Sequence, residues 1–212
     1  MKGVVLMALA MAAVGCGLRQ VEGSGKKAEV GRQVDAFHQV ALEGRYDVDI
    51  QAGPAQSVRI EADDNLLHLI ETEVSDGVLK ISSRWSLSPK WGIKIHITAP
   101  KVDGVSIAGS ANVTAEGISA DAFSARIAGS GRIEAKGSAA RLEIRLAGSG
   151  EFSFGDFPVK DASIKISGSG SAVVNASERI EADIAGSGTV RYVGSPKQIK
   201  RQIAGSGSVE PK

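Results

Sequence analysis

The side chains of this 212-residue chain best placed to do chemistry are basic and recur at a fixed position. Arg126, Arg145 and Lys165 each stand three residues before a Gly-Ser-Gly triplet, and Ser106, Asp183 and Gln202 hold the equivalent place in the other copies. Stacked as strands, the three cations form a stripe with neighbours about 5 Å apart. Like charges that close repel unless an anion sits nearby, and Glu143 and Glu181 on the same face can supply one. Such a stripe suits an acidic sugar. It also suits a polysaccharide lyase or hydrolase, in which a basic residue works beside clustered acidic metal ligands. That cluster is not apparent here, because Glu143 and Glu181 fall two repeats apart. A solvated charged face is the plainest reading.

Other candidates are less reactive. Ser110, Ser130, Ser149, Ser169, Ser187 and Ser206 sit at the centre of the triplets and are expected to form an outward ladder. Ala108, Ala128, Ala147, Ser167, Ala185 and Ala204 lie beside them. This flat face of small side chains is either a docking surface or only a tight corner that binds nothing. Trp85 and Trp91, the only tryptophans, flank one short loop, where they either stack on sugar rings or cover the end of the core. His38, His68 and His96 share no metal-ligand spacing, and a zinc site needs three or four convergent ligands. His96 alternates with Ile95 and Ile97 and is expected to face solvent. The triplets are not phosphate cradles, since no helix or Lys follows them. No catalytic residue, metal or cofactor is expected.

The elements that must position these residues are repeats. The triplets begin at Gly109, Gly129, Gly148, Gly168, Gly186 and Gly205, at spacings of 20, 19, 20, 18 and 19 residues, the first reading Gly-Ser-Ala. Around each, apolar residues alternate with polar ones, as in Leu142, Ile144 and Leu146 followed by Phe152 and Phe154. Period two marks half-buried strands. Continued through the triplet, the phase turns both glycines inward and the serine outward. A period near 19 is too short for a strand-helix-strand unit and fits one turn of a parallel β-solenoid. Helical repeats and an antiparallel sandwich are the competing architectures. We therefore expect an all-β parallel solenoid of about six turns over residues 101–212, with a β-rich cap at residues 34–100. In that cap, residues 64–70 read as a short helical turn capped by Asp63 or Asp64.

The N-terminus reads as an address. Lys2 precedes an apolar run over residues 4–14, too short to span a membrane. The run ends in Ala13-Val14-Gly15-Cys16, which resembles a bacterial lipobox and makes Cys16, the only cysteine, the acyl acceptor. A simple secretory signal with a leftover thiol is the alternative. Residues 1–15 would be removed, and residues 16–33 would form a flexible tether containing Gly23-Ser24-Gly25-Lys26-Lys27. Gly17 at the next position implies outer-membrane sorting in a diderm host, with the domain periplasmic or surface-facing. Without Lys2 the 25 basic residues fall to 24 and equal the 24 acidic ones, which argues against a nucleic-acid partner. The last repeat shows no evident cap, so self-association through that edge is a further expectation.

One resemblance joins these observations. The order Gly44-Arg45-Tyr46-Asp47-Val48-Asp49-Ile50, then Val58 to Leu67, then Asp76-Gly77-Val78-Leu79-Lys80-Ile81, then Gly-Ser-Gly repeats, resembles the head GIN domain family of auto-transporter adhesins across residues 34–212. It implies a right-handed β-helical architecture in a bacterial lipoprotein or secreted setting and supplies no catalytic residues. The expected function is a non-enzymatic, lipid-anchored envelope protein presenting a surface for adhesion, glycan or protein recognition. A polysaccharide-acting enzyme and a self-associating scaffold are the alternatives.

Overall fold

The structure, a computed structural model, describes residues 20–212. The expected signal segment and Cys16 lie outside the described residues. In chain order the first strands are β1 (Gln20–Glu22), β2 (Lys27–Arg32), β3 (Gln39–Gly44), β4 (Asp47–Ala52), β5 (Ser57–Asp63), β6 (Glu71–Ser75), β7 (Val78–Ser82), β8 (Ser86–Ser88) and β9 (Lys94–Ala99). The repeats supply β10 (Gly104–Gly109), β11 (Asn112–Gly129), β12 (Arg132–Gly148), β13 (Glu151–Gly168), β14 (Ser171–Gly186), β15 (Thr189–Val193), β16 (Gln198–Gly205) and β17 (Ser208–Pro211).

The alternation of the sequence becomes burial. Leu142, Ile144 and Leu146 are buried while Arg145 between them is exposed. Each repeat closes one coil with two faces. On the first face β7, β3, β10 and the C-terminal parts of β11 to β14 stack in register up to β16. On the second, β9 and β4 lie under the N-terminal parts of β11 to β14, followed by β15 and β17. All these pairings are parallel, so the chain is a β-solenoid, and the helical and antiparallel-sandwich alternatives fall away.

The triplets make the corner between the faces. The serine N–H of one coil donates to the first-glycine carbonyl of the coil below, as from Ser130 to Gly109 at 3.0 Å and from Ser149 to Gly129 at 2.9 Å. The expectation that both glycines face inward needs correction. Only the second is buried, at Gly131, Gly150, Gly170 and Gly188. The first is required for another reason: at Gly148, φ is +122°, and an added Cβ would collide with the Gly129 carbonyl oxygen.

The N-terminal half caps the stack and also extends it. β3–β4 and β7–β9 are two further coils, with the later pair lying beneath the earlier one. Antiparallel strands then close the bottom: β6 pairs with β7, β5 with β9, and β2 with β5. Three expectations change here. Residues 20–32 are not a tether, because β1 pairs with β8 and β2 with β5. The helical turn is a 3-10 turn at Leu67–Leu69 with Leu66 at its N-cap and no side-chain cap. Asp63 is fully buried and its carboxylate serves elsewhere, accepting N–H bonds from Gly25 at 2.7 Å and Lys90 at 2.9 Å.

Most of the core is small and branched aliphatic, and three phenylalanines gather at the wide corner opposite the triplets. There Phe123, Phe154 and Phe157 pack with ring centroids 5.4 to 6.0 Å apart. At the top, β16 is exposed along its length, and Ile199 and Ile203 are uncovered. Among the described residues no helix is long and apolar enough to cross a membrane.

Candidate functional site

In-register stacking aligns the outward residues of the first face into columns. Arg126, Arg145 and Lys165 fall in one column, with Ser106 below and Asp183 above. Ala108, Ala128, Ala147 and Ser167 fall in the next. Long cationic side chains beside methyl-sized ones leave a groove of about 460 Å³, lined by both columns. The stripe and the small-residue face that the sequence offered separately are thus wall and floor of one concavity.

The wall is partly neutralised. Glu143 accepts from Arg145 Nε at 2.6 Å, and its other oxygen lies 4.0 Å from Arg126 Nη2. Lys165 has no ion-pair partner within 4.0 Å among the described residues, whereas Glu181 is bonded to Lys200 at 2.8 Å. The Lys200 hydrogen bond and charge hold Glu181 below the ordinary carboxylate value against a small opposing effect of burial, helped by Arg179 and Lys165. Exposed pairs like these are weakened by solvent and salt, so the cations remain available to an anion.

Sequence reasoning missed how the groove ends. Glu43 occupies the floor column beneath Ala108 and is bonded to Lys80 at 2.9 Å. That pair blocks the lower end and holds the Lys80 ammonium above its ordinary value, through the hydrogen bond first and charge second. The signal was present: Gly44 aligns with Gly109, so Gly44-Arg45-Tyr46 is a divergent corner in which Tyr46 replaces the second glycine. Burial and the Glu43 charge push the Tyr46 hydroxyl up to about 12, and it donates to the Glu43 carbonyl at 3.1 Å. A second concavity of about 690 Å³ lies beside the first, where Arg141, Glu143, Asp161 and Arg179 approach the wide corner.

The remaining candidates separate. Ser130, Ser149, Ser169, Ser187 and Ser206 are exposed and Ser110 is half-buried, all on the corner and not in the groove. Trp85 lines a cleft of about 590 Å³ under the Gly44-Arg45-Tyr46 corner. Trp91 lies outside that lining, with its indole N–H on the Gly25 carbonyl at 2.8 Å. His38 meets Asp103 at 2.9 Å. His96, expected in solvent, is half-buried between Asp49 at 3.3 Å and Glu61 at 3.6 Å. His68 is exposed. Among the described residues no three His, Cys, Asp or Glu side chains are grouped so that they could hold a metal ion.

Comparison with known proteins adds a family. The profile described as "Putative auto-transporter adhesin, head GIN domain" matches residues 36–196, most of the chain. The chain belongs to the head GIN domain family. Solved structures similar to this GIN-domain chain include a Bacteroides fragilis protein described as a "putative adhesin", with TM-score 0.74 and 21% identity, covering 91% of this chain and all of that one. A Parabacteroides distasonis protein described as a "putative lipid binding protein" matches with TM-score 0.57 and 24% identity over 92% of this chain and all of that one. An adhesin-described protein from Parabacteroides merdae matches with TM-score 0.57 and 20% identity, covering 92% of this chain and 99% of the other. At these identities the likeness establishes the fold alone. Among curated proteins none matches this GIN-domain chain.

Proposed function

We propose that this GIN-domain chain is a non-enzymatic, lipid-anchored protein of the cell envelope whose first face recognises an extended acidic polymer, a glycan in the first instance. The supporting observation is the groove, in which a cation and a methyl-sized floor residue recur once per coil over Arg126, Arg145 and Lys165. A site repeated about every 4.8 Å suits a ligand that itself repeats. Complementary charge gives such a surface specificity and fast encounter more than high affinity. The anchor reading is supported by the Ala13-Val14-Gly15-Cys16 sequence, and Gly17 after it favours outer-membrane sorting in a diderm host.

The enzymatic alternative is less well supported, because Arg145, the central candidate base, is already engaged by Glu143 at 2.6 Å. The test is a binding screen of residues 17–212 against acidic and neutral polysaccharides and isolated envelope components. A hit confined to acidic polymers, with no shortening of the polymer, is the expected result. Chain cleavage lost in Arg145→Ala would overturn the non-enzymatic reading.

A further inference from the structure

We propose that the loop over residues 83–93 is a membrane contact that lays Trp85 and Trp91 into the headgroup region of the bilayer. The inference uses the Cys16 anchor to say where that bilayer is, and the loop's own affinity stands apart from it.

The loop departs from the solenoid rule. Higher coils pass from the first face to the second through a tight glycine corner, whereas the lowest coil, β7 to β9, makes a long excursion. That excursion carries both tryptophans of the chain, 38% and 60% exposed. Trp91 already has its indole N–H satisfied by the Gly25 carbonyl, so its ring can meet an apolar layer with no polar group left unpaired. Half-polar rings of this kind collect at membrane–water boundaries. Between Ser83 and Ile93 the chain has Arg84 and Lys90, both exposed, and no acidic residue. Arg84 is paired with Glu71 of β6 at 3.0 Å, an exposed contact that solvent weakens, and Lys90 has no ion-pair partner within 4.0 Å among the described residues. Basic residues beside a bilayer draw it toward anionic lipid.

The second observation is continuity with the N-terminus. Gln20, Val21 and Glu22 pair with Ser86, Leu87 and Ser88 of the loop, and the Gly23 N–H donates to the Ser88 carbonyl at 2.9 Å. The buried Asp63 carboxylate takes the N–H of Gly25 and of Lys90 together, so the N-terminal segment and the loop are fixed to one point. Cys16 is four residues before Gln20, a reach of at most about 14 Å. An acyl chain on Cys16 therefore brings a bilayer to the loop itself.

The test uses residues 17–212, which lack the acylated cysteine and keep every described residue. Tryptophan emission in this chain reports the loop alone. Mixed with vesicles of phosphatidylcholine and phosphatidylglycerol carrying brominated acyl chains, the emission is expected to shift to the blue and be quenched. Binding should strengthen with phosphatidylglycerol content. Trp91→Ala, which leaves the charge unchanged, should weaken co-sedimentation at least fivefold, and Arg84→Gln with Lys90→Gln should remove the preference for anionic lipid. Absence of quenching at every composition would overturn the proposal, as would an emission change produced by polysaccharide and not by vesicles. Mass spectrometry of the Cys16 peptide from cells tests the anchor separately: an unmodified cysteine would sink the anchor reading and leave the vesicle result to judge the loop.

Discussion

A methyl group added at Gly148 meets the Gly129 carbonyl oxygen in a residue whose φ is +122°, and the same conflict recurs at Gly168 and Gly186. Strained backbone of that kind costs about 1–3 kcal/mol per residue, so Gly148→Ala should lower the urea-unfolding free energy by at least that amount. Ser149→Ala should change it by less than about 0.5 kcal/mol, because the ladder bond is made by the serine N–H and not by its hydroxyl. Asp63 gives a pH signature. Burial alone would raise its value, but the N–H bonds from Gly25, Lys90 and Trp91 overcome that and hold it below the ordinary 3.8. A depressed carboxylate contributes stability that is complete above the unfolded value and is lost as pH falls through the folded one. Thermal melts should therefore decline below about pH 4, and Asp63→Asn should be less stable at neutral pH with a shallower acid decline. The triplets were legible in the sequence as corners. The conformation of their first glycine was not, because alternation reports which way a side chain points and says nothing of φ.

At the scale of elements, the solenoid coil follows from alternation plus period, and the strands around Leu142, Ile164 and Ile184 stand where the sequence put them. What the sequence concealed was order. β7 and β9 lie beneath β3 and β4, since register between non-consecutive strands is set by which apolar faces meet and not by local pattern. Residues 20–32 looked like linker because their composition is small and polar, yet pairing with β5 and β8 and the Asp63 carboxylate fix them. The aromatic cluster at the wide corner replaces aliphatic stacking where the register shifts in β13. Phe154 is fully buried there against Phe123 and Phe157. Phe154→Ala should destabilise by about 3–5 kcal/mol in chemical denaturation, with the whole stack unfolding in one transition if coils are tightly coupled. The groove was half-legible: both columns, two residues apart on one strand face, could be read from the repeats, but the lower end set by Glu43 and Lys80 could not, because it depends on β7 and β3 stacking beneath β10.

At the scale of the whole molecule, the described residues form one stack whose two ends differ. Its lower end is covered by β2 and β6, while β16 at the top carries exposed Ile199 and Ile203. Arg201 stands on the inward register, above Ala182, and Lys200 sits on the same edge strand. Charges in those places deter pairing with a second copy, so sedimentation should give a monomer mass at all accessible concentrations. A dimer abolished by Ile203→Lys would show instead that the open edge is an interface. With the loop of residues 83–93 at the bilayer, the groove would run along the stack away from the membrane, toward polymers of the envelope. Calorimetric titration of residues 17–212 with an acidic polysaccharide, repeated on Arg126→Gln/Arg145→Gln/Lys165→Gln, tests this most directly. The account predicts binding that weakens with added salt and falls at least tenfold in the triple variant, while Ser149→Lys/Ser169→Lys on the corner leaves it within twofold. Equal affinity in wild type and triple variant would contradict it and remove the groove as the recognition surface.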